Sequence, residues 1–433
     1  MKKILAMVLA FLGAAALVFA IALPTYVVPK GKVIPLNSVS TTGTDEIPGN
    51  LLDSSALAAG RPVPTRADAP ECQGDSNLPI MCFMSTGVPL LYQRFATAQE
   101  PSNEDIVTLE FGNTMVRMDR EEPANLLSAT IDRITLDRRT QLPVDEPVST
   151  FDLQPPLDDN GNPVPQRPEP GTGYQSANAP FVRNGVQYQF PMGTDKKSYP
   201  YFDVQVQKTQ DIDFVGEETQ DGETVYRFEQ TVPPTEIYPG IYEMLNRDGE
   251  MSAADESAVA TLRLTFPAAV WGLTPEEVDG WNADAAAEGD QAEGDQAEGE
   301  EGDNADAAAP VDPELGPDVT MSRYYTVNRT VWVQPDTGVI VNGAEEIWMY
   351  YAQDQAEADR IAEPANRERE IADPHRTATY FPAKWSEEAK ANQMVKAKDG
   401  LSRMNTMGKT VPWIAGILGV LFLIAAFFIA RKA

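Results

Sequence analysis

The sequence predicts a mainly β, α+β protein: a large antiparallel sheet or barrel-like domain held between an N-terminal and a C-terminal transmembrane helix. Three observations predict it. Apolar runs of twenty residues, Ile4–Leu23 and Val411–Ala430, stand at the two ends, each long enough to cross a hydrocarbon core as a helix. Between them, several stretches alternate polar with apolar residues, the period of a half-buried strand. Asp-Gly and Pro-Asp-Thr-Gly segments join such stretches as hairpin turns do.

The chain opens with Met1-Lys2-Lys3, a short cytoplasmic terminus, and residues 4–23 follow as a transmembrane helix. The competing reading is a cleaved signal peptide, since Ala20-Ile21-Ala22 has the small-x-small form of a cleavage site. The apolar run exceeds the usual length of such a segment, which favours an anchor that is retained. At the other end, 411–430 is a second membrane helix and 431–433 a cytoplasmic tail. Lysines and arginines flank both spans on both sides, so charge alone does not orient the chain. The signal-like start places both termini inside, giving a two-pass plasma-membrane protein with its large domain extracytoplasmic.

Residues 24–384 form that domain. Cys72 and Cys82 have nine residues between them, including Gly and Pro. On an oxidising face they pair as a local disulfide, and their number and spacing fit no zinc arrangement. Residues 41–68, 143–180 and 285–310 read as disordered insertions, because their composition offers too little apolar area to offset the entropy of ordering. "IVTLEFGNTMVRM" from Ile106 and "SATIDRITLDRRT" from Ser128 read as strands. "DIDFVGEE" and "ETVYRFEQ" form a hairpin around Asp221-Gly222, and Thr326–Tyr351 form another, with Gly338 in the left-handed position of its turn.

The period changes in 385–409, a juxtamembrane amphipathic helix with Met394, Ala397, Leu401 and Met404 on one stripe. Lys396, Lys398, Arg403 and Lys409 are membrane-proximal cations around it. Two readings fit: a helix lying on anionic headgroups, or a stalk packed on the β domain through the stripe.

The net charge is −31 at pH 7, and fifteen of the 65 acidic residues lie between Glu276 and Glu314 with no Lys or Arg among them. Such a surface is wrong for nucleic acid, which needs a basic one. His375 is the only histidine. No nucleophile elbow, zinc-protease motif or phosphate-binding loop occurs, so the residues point to no enzyme, metal or cofactor. "DDNG" at Asp158–Gly161 lacks the spacing of a calcium loop. The aromatics are the more suggestive feature. Tyr199, Tyr201, Phe202, Tyr226, Trp332 and Trp348 are candidates to line a lipid or glycolipid cavity, the alternative being that they fill the core between sheets.

"DRITLDRRT", "FPMGTDKKSYPYFDVQVQK", "GETVYRFEQTVP", "NRTVWVQPDTGVIVNGAEEIW" and "YVVPKGKVIPL" together resemble the actinobacterial membrane proteins of the porin PorA family. The resemblance spans nearly the whole chain, with Phe202 where members often carry Trp. It implies a two-helix envelope protein of actinobacteria. The residues give that expectation its shape: neither apolar span contains a polar residue to line a channel, and the strands lack the apolar outer band of a membrane barrel. In layout alone, the chain is also similar to the class B scavenger receptors, which pass lipids through a tunnel. The function expected is a non-enzymatic envelope protein that binds or transfers an envelope lipid or glycolipid. The alternatives are a scaffold that contacts other envelope-assembly proteins, and a pore. Membrane lipids are the expected partners in each case.

Overall fold

The computed structural model describes residues 2–74, 76–153, 176, 178–278, 281 and 314–432. The expected insertion at 285–310, residues 154–175 of the one at 143–180, and the Asp158–Gly161 segment lie outside the described residues.

The chain begins with α1 (Lys2–Ala22), passes through a π-helical turn at Leu23–Val27 and ends this arm in α2 (Val28–Gly31). Strands β1 (Val39–Gly43) and β2 (Ile47–Leu52), helix α3 (Ser54–Ala58), then β3 (Met84–Gln99), β4 (Ile106–Arg117), β5 (Leu126–Asp137) and β6 (Thr150–Asp152) make the first half of the β domain. The second half comprises β7 (Tyr199–Asp203), β8 (Lys208–Gln220), β9 (Glu223–Glu236), α4 (Tyr238–Leu245), α5 (Ala253–Ala260), β10 (Arg263–Pro267), β11 (Asp318–Gln334), β12 (Val339–Ala352), α6 (Gln355–Ala362), α7 (Pro364–Ala372) and β13 (Thr377–Lys384). Helices α8 (Glu387–Asn405) and α9 (Val411–Arg431) close the chain, joined by a π-helical turn at Thr406–Thr410.

Among the described residues, thirteen strands form one antiparallel sheet in the order β6-β5-β4-β3-β2-β13-β12-β11-β9-β8-β7. The long strands serve two neighbours on one side: β3 pairs β2 through Met84–Leu90 and β1 through Gln93–Thr97. Likewise β11 pairs β10 through Asp318–Ser322 and β9 beyond. Bulges at Met115/Val116, Phe214/Gly216 and Trp332/Val333 add local twist. The sheet curls into a half-barrel, and the chain between β6 and β7 spans its two edges. Phe181 exchanges both backbone bonds with Ser149 beside β6, while Val186 bonds Pro200 and Phe202 on β7.

Both expected hairpins are present. Asp221 and Gly222 take φ of 49° and 81°, the double left-handed turn that joins β8 to β9. Gly338 takes φ 69° between β11 and β12, and a Cβ there would lie 1.9 Å from the Phe190 carbonyl oxygen. The disulfide Cys72–Cys82 is formed, with both residues buried in a cluster that includes Ile80, Phe83, Trp271 and Tyr351.

The expectation of disorder for 41–68 is corrected. This stretch supplies the end of β1, all of β2 and α3. Gly, Ser and Pro are tolerated because backbone pairing on β3 and β13 orders the stretch, helped by a few apolar side chains such as Leu51 and Leu57 that reach the core clusters. Gly49 is required by close approach, since a Cβ would fall 2.5 Å from the Tyr380 carbonyl. Asp53 fixes the end of the segment: it accepts from the Ala56 N–H, capping α3, and pairs with Arg117 at 2.9 Å and with Arg120. The flanks of 154–175 are ordered as well, as β6 and the Ser149–Phe181 pairing.

Candidate functional site

Two regions carry features beyond packing: the junction of the apolar helices and the inner face of the curl.

Helices α1 and α9 run side by side, antiparallel, and both are long and apolar enough to cross a membrane. Small residues permit the contact. A Cβ on Gly13 would meet the Gly419 carbonyl at 2.8 Å, and one on Gly419 would meet Leu17 at 2.9 Å. One level up, the position of a Gly416 Cβ lies 3.8 Å from the Ala20 Cβ. Just above, the two π-helical turns carry Pro24 and Lys409, and from there down past Ala20 and Gly416 the helices leave an open groove of about 570 Å³. Leu17, Ala20, Pro412, Trp413, Ile417 and Leu421 wall it, with Gly408 and Lys409 at one end. Trp413 is 72% exposed on its rim. From Lys409 to Leu421 the groove follows twelve residues of helix, about 18 Å at 1.5 Å per residue.

The long helix α8–α9 continues from this junction onto the β domain. Ser386 caps α8 by accepting from the Ala389 N–H at 3.1 Å. Met394 and Ala397 are buried against Val225, Val339 and Val341 of the sheet. A Cβ on Gly400 would sit 2.9 Å from Thr337 in the β11–β12 turn. Lys398 pairs with Asp221 at the tip of the β8–β9 hairpin, at 2.6 Å. The N-terminal half of the stripe, Met394 and Ala397, packs against protein. Of the expected membrane-proximal cations, Lys396 and Lys398 face the β domain, Lys409 ends the helix groove, and Arg403 is exposed between them.

Inside the curl lies a network of paired charges. Arg183 donates to both oxygens of Asp132, at 3.0 and 2.7 Å, with both side chains 0% exposed. The Tyr188 hydroxyl donates to the same carboxylate, and Tyr188 stacks on Phe111. Burial and the Asp132 charge raise the Tyr188 pKa well above 10. Across the interior, Arg329 donates to Asp203 at 2.9 Å, to Glu345 and to Gln230, and lies over the Tyr201 ring at 4.6 Å. Desolvation alone would lower the Arg329 pKa, but Glu345, Tyr201 and Asp203 outweigh it and keep the guanidinium charged. Burial would likewise raise Glu345, and Arg329 outweighs that to hold it below its usual value. Between the two groups stands Arg94, bound to Asn113 and Tyr92.

The six aromatic candidates are not brought together. Tyr199 and Tyr201 are buried in one cluster with Phe190 and Phe228, against which Tyr226 also packs. Phe202 belongs to a second cluster, beneath α4. Trp332 packs with the α8 contact and donates to Glu218 at 2.8 Å. Trp348 is fully buried on Tyr350, donating to Thr377 at 3.1 Å. None of the six lines the helix groove or the smaller cavity beside α8. The groove itself was missed by sequence reasoning, although Gly13, Ala20, Gly416 and Gly419 permit the close helix contact that shapes it.

Comparison with known proteins supplies the family. The sequence matches the family described as Porin PorA over residues 5–428. A protein named Porin PorA from Corynebacterium resistens is 53% identical over 433 residues, spanning 100% of this chain and 97% of its own length. A second protein of that name, from Corynebacterium amycolatum, is 40% identical over 439 residues, spanning 100% of both chains.

Proposed function

We propose, from the premise that this chain belongs to the porin PorA family, that it is a non-enzymatic, twice-anchored envelope protein that holds an envelope lipid or glycolipid by its acyl chain. The groove between α1 and α9 is the seat of the chain, and the β domain stands on the extracytoplasmic side. The observation that carries this reading is the groove's size and lining. Its volume of about 570 Å³ falls within the range of small-molecule sites, and its walls are almost wholly apolar. An acyl chain laid along it covers Leu17, Trp413 and Ile417, while the Lys409 ammonium meets an acidic headgroup at the interface. The reading moves the lipid site from the β domain, where sequence reasoning sought it, to the membrane junction.

Lipid mass spectrometry on the full chain, purified in mild detergent from a Corynebacterium host, tests the reading. The expected result is one defined lipid retained per chain and lost on Ala20→Phe, which fills the groove. A folded chain that carries no lipid, or one that keeps the same lipid after Ala20→Phe, overturns it.

A second reading, conduction, has its own observation. The inner face of the curl is polar and charged, as the lumen of a barrel is, and the relatives carry the name porin. Single-channel recording with the purified chain in planar bilayers separates the two readings. The lipid-holding account expects no conductance steps.

A further inference from the structure

About 20 Å up the continuous helix from Lys409, thirteen residues at 1.5 Å each, a second cavity opens between α8 and the sheet. It is small, about 70 Å³, and its polar wall is assembled from three parts of the chain. Arg94 comes from β3, Ser38 and Ser40 from the entry to β1, and Gln393 and Lys396 from α8, with Tyr188 beside Arg94. No Asp or Glu lines it among the described residues.

The two cations are not neutralised by carboxylates. Arg94 donates from Nε to Asn113 Oδ1 and from Nη2 to Tyr92 Oη, both at 2.9 Å, and lies over the Tyr188 ring at 4.9 Å. All three partners are neutral, and Nη1 is left uncommitted. Glu345, the acid that acts on Arg94 from further off, is engaged by Arg329. Lys396 makes no ion pair among the described residues and stands exposed at the rim of the cavity. Neighbouring Lys398, by contrast, is satisfied by Asp221. The hydroxyl at the site is set up to donate: Gln393 donates to Ser40 Oγ, leaving the Ser40 O–H free. Two cations without a carboxylate partner and a free hydroxyl donor therefore line one small cavity, where an oxyanion meets all three.

We propose that this cavity binds one phosphate-type oxyanion, held by Arg94, Lys396 and the Ser40 hydroxyl. Arg–phosphate and Lys–phosphate contacts are charge-assisted and short, and a single tetrahedral group matches the size of the space. The phosphate has two possible sources, a free anion or a lipid headgroup lifted from the bilayer, and both offer the same oxygens. This site does not depend on the acyl-chain groove.

Isothermal titration of the full chain in dodecyl maltoside micelles tests the proposal, with inorganic phosphate in one arm and dihexanoyl phosphatidic acid in the other. At least one ligand is expected to bind saturably at one per chain, and Lys396→Gln to weaken it about tenfold or more. Lys396→Arg should retain binding. Tighter binding of phosphatidic acid assigns the site to a headgroup; equal or tighter binding of phosphate assigns it to a free anion. Absence of binding by both ligands overturns the proposal, as does binding that Lys396→Gln leaves intact while its melting curve matches the native one. Should Lys396→Gln fail to fold, Ser40→Ala replaces it, with weakened binding expected and undiminished binding overturning the proposal.

Discussion

Arg183 and Asp132 stand 51 positions apart in the chain, yet each is the other's main partner in a fully dry site. Removing one member leaves an uncompensated buried charge, so Asp132→Ala should cost about 3–5 kcal/mol, measured by denaturant titration of the full chain. Replacing both with apolar residues should cost far less, because the desolvation of both charges is then avoided. Asp53 gives the pH dependence its sign. Burial would raise its pKa, but the Ala56 N–H, Arg117 and Arg120 outweigh that and hold it below 3.8. A group depressed in the folded state contributes stability that is present above its unfolded pKa and lost as pH falls through the folded one. Glu345 acts in the same direction. The melting temperature should therefore hold steady above about pH 5 and fall as pH drops below 4; a protein equally stable at pH 3 and pH 6 would contradict this. None of these pairs is visible in the sequence. Strand alternation says that Asp132 and Arg133 face opposite ways, but not which way is inward, and with 65 acidic residues no partner can be picked by reading.

Where local chemistry dictates an element, the sequence shows it. Asp221-Gly222 and Gly338 mark their turns because few other residues tolerate those backbone angles. Strands β4 and β5 show through alternation, and the apolar spans through length. Elements held mainly by long-range pairing do not show: β1 and β2 lie in sequence that reads as disordered because their order is borrowed from β3 and β13. The stripe of α8 allows two readings, and its Met394 and Ala397 contact Val339 and Val341 of the sheet. The helix pair is the element on which the proposed function stands, and it admits a direct check. The Gly416 Cβ position lies 3.8 Å from the Ala20 Cβ, within the range a disulfide spans. Oxidation of the doubly substituted chain, Ala20→Cys with Gly416→Cys, should yield an intramolecular crosslink, seen as a gel shift after cleavage between the helices. Adding Gly13→Leu, which drives a side chain into the Gly419 backbone, should abolish it. If α1 is removed as a signal peptide, no crosslink forms, and the groove loses one wall.

At the scale of the whole molecule, one continuous helix joins three regions: the membrane pair, the groove beside Lys409 and the cavity beside Lys396. The curled sheet packs on that helix through β12 and β1. The sequence made the architecture legible, with its β-rich middle and two apolar ends. It did not make the site legible, because the aromatics that stand out in it are dispersed among separate core clusters. Most residues that line the groove, such as Leu17, Ala20, Gly416, Ile417 and Leu421, are unremarkable in any apolar span. The most direct measurement of the central claim is photo-crosslinking with a lipid that carries a diazirine along its acyl chain, using the full chain in nanodiscs and peptide mapping of the labelled sites. The account predicts labelling concentrated on Leu17, Ala20 and Trp413–Leu421 and depleted by Ala20→Phe. Labelling spread evenly over the outward faces of both helices, unchanged by that substitution, would contradict it.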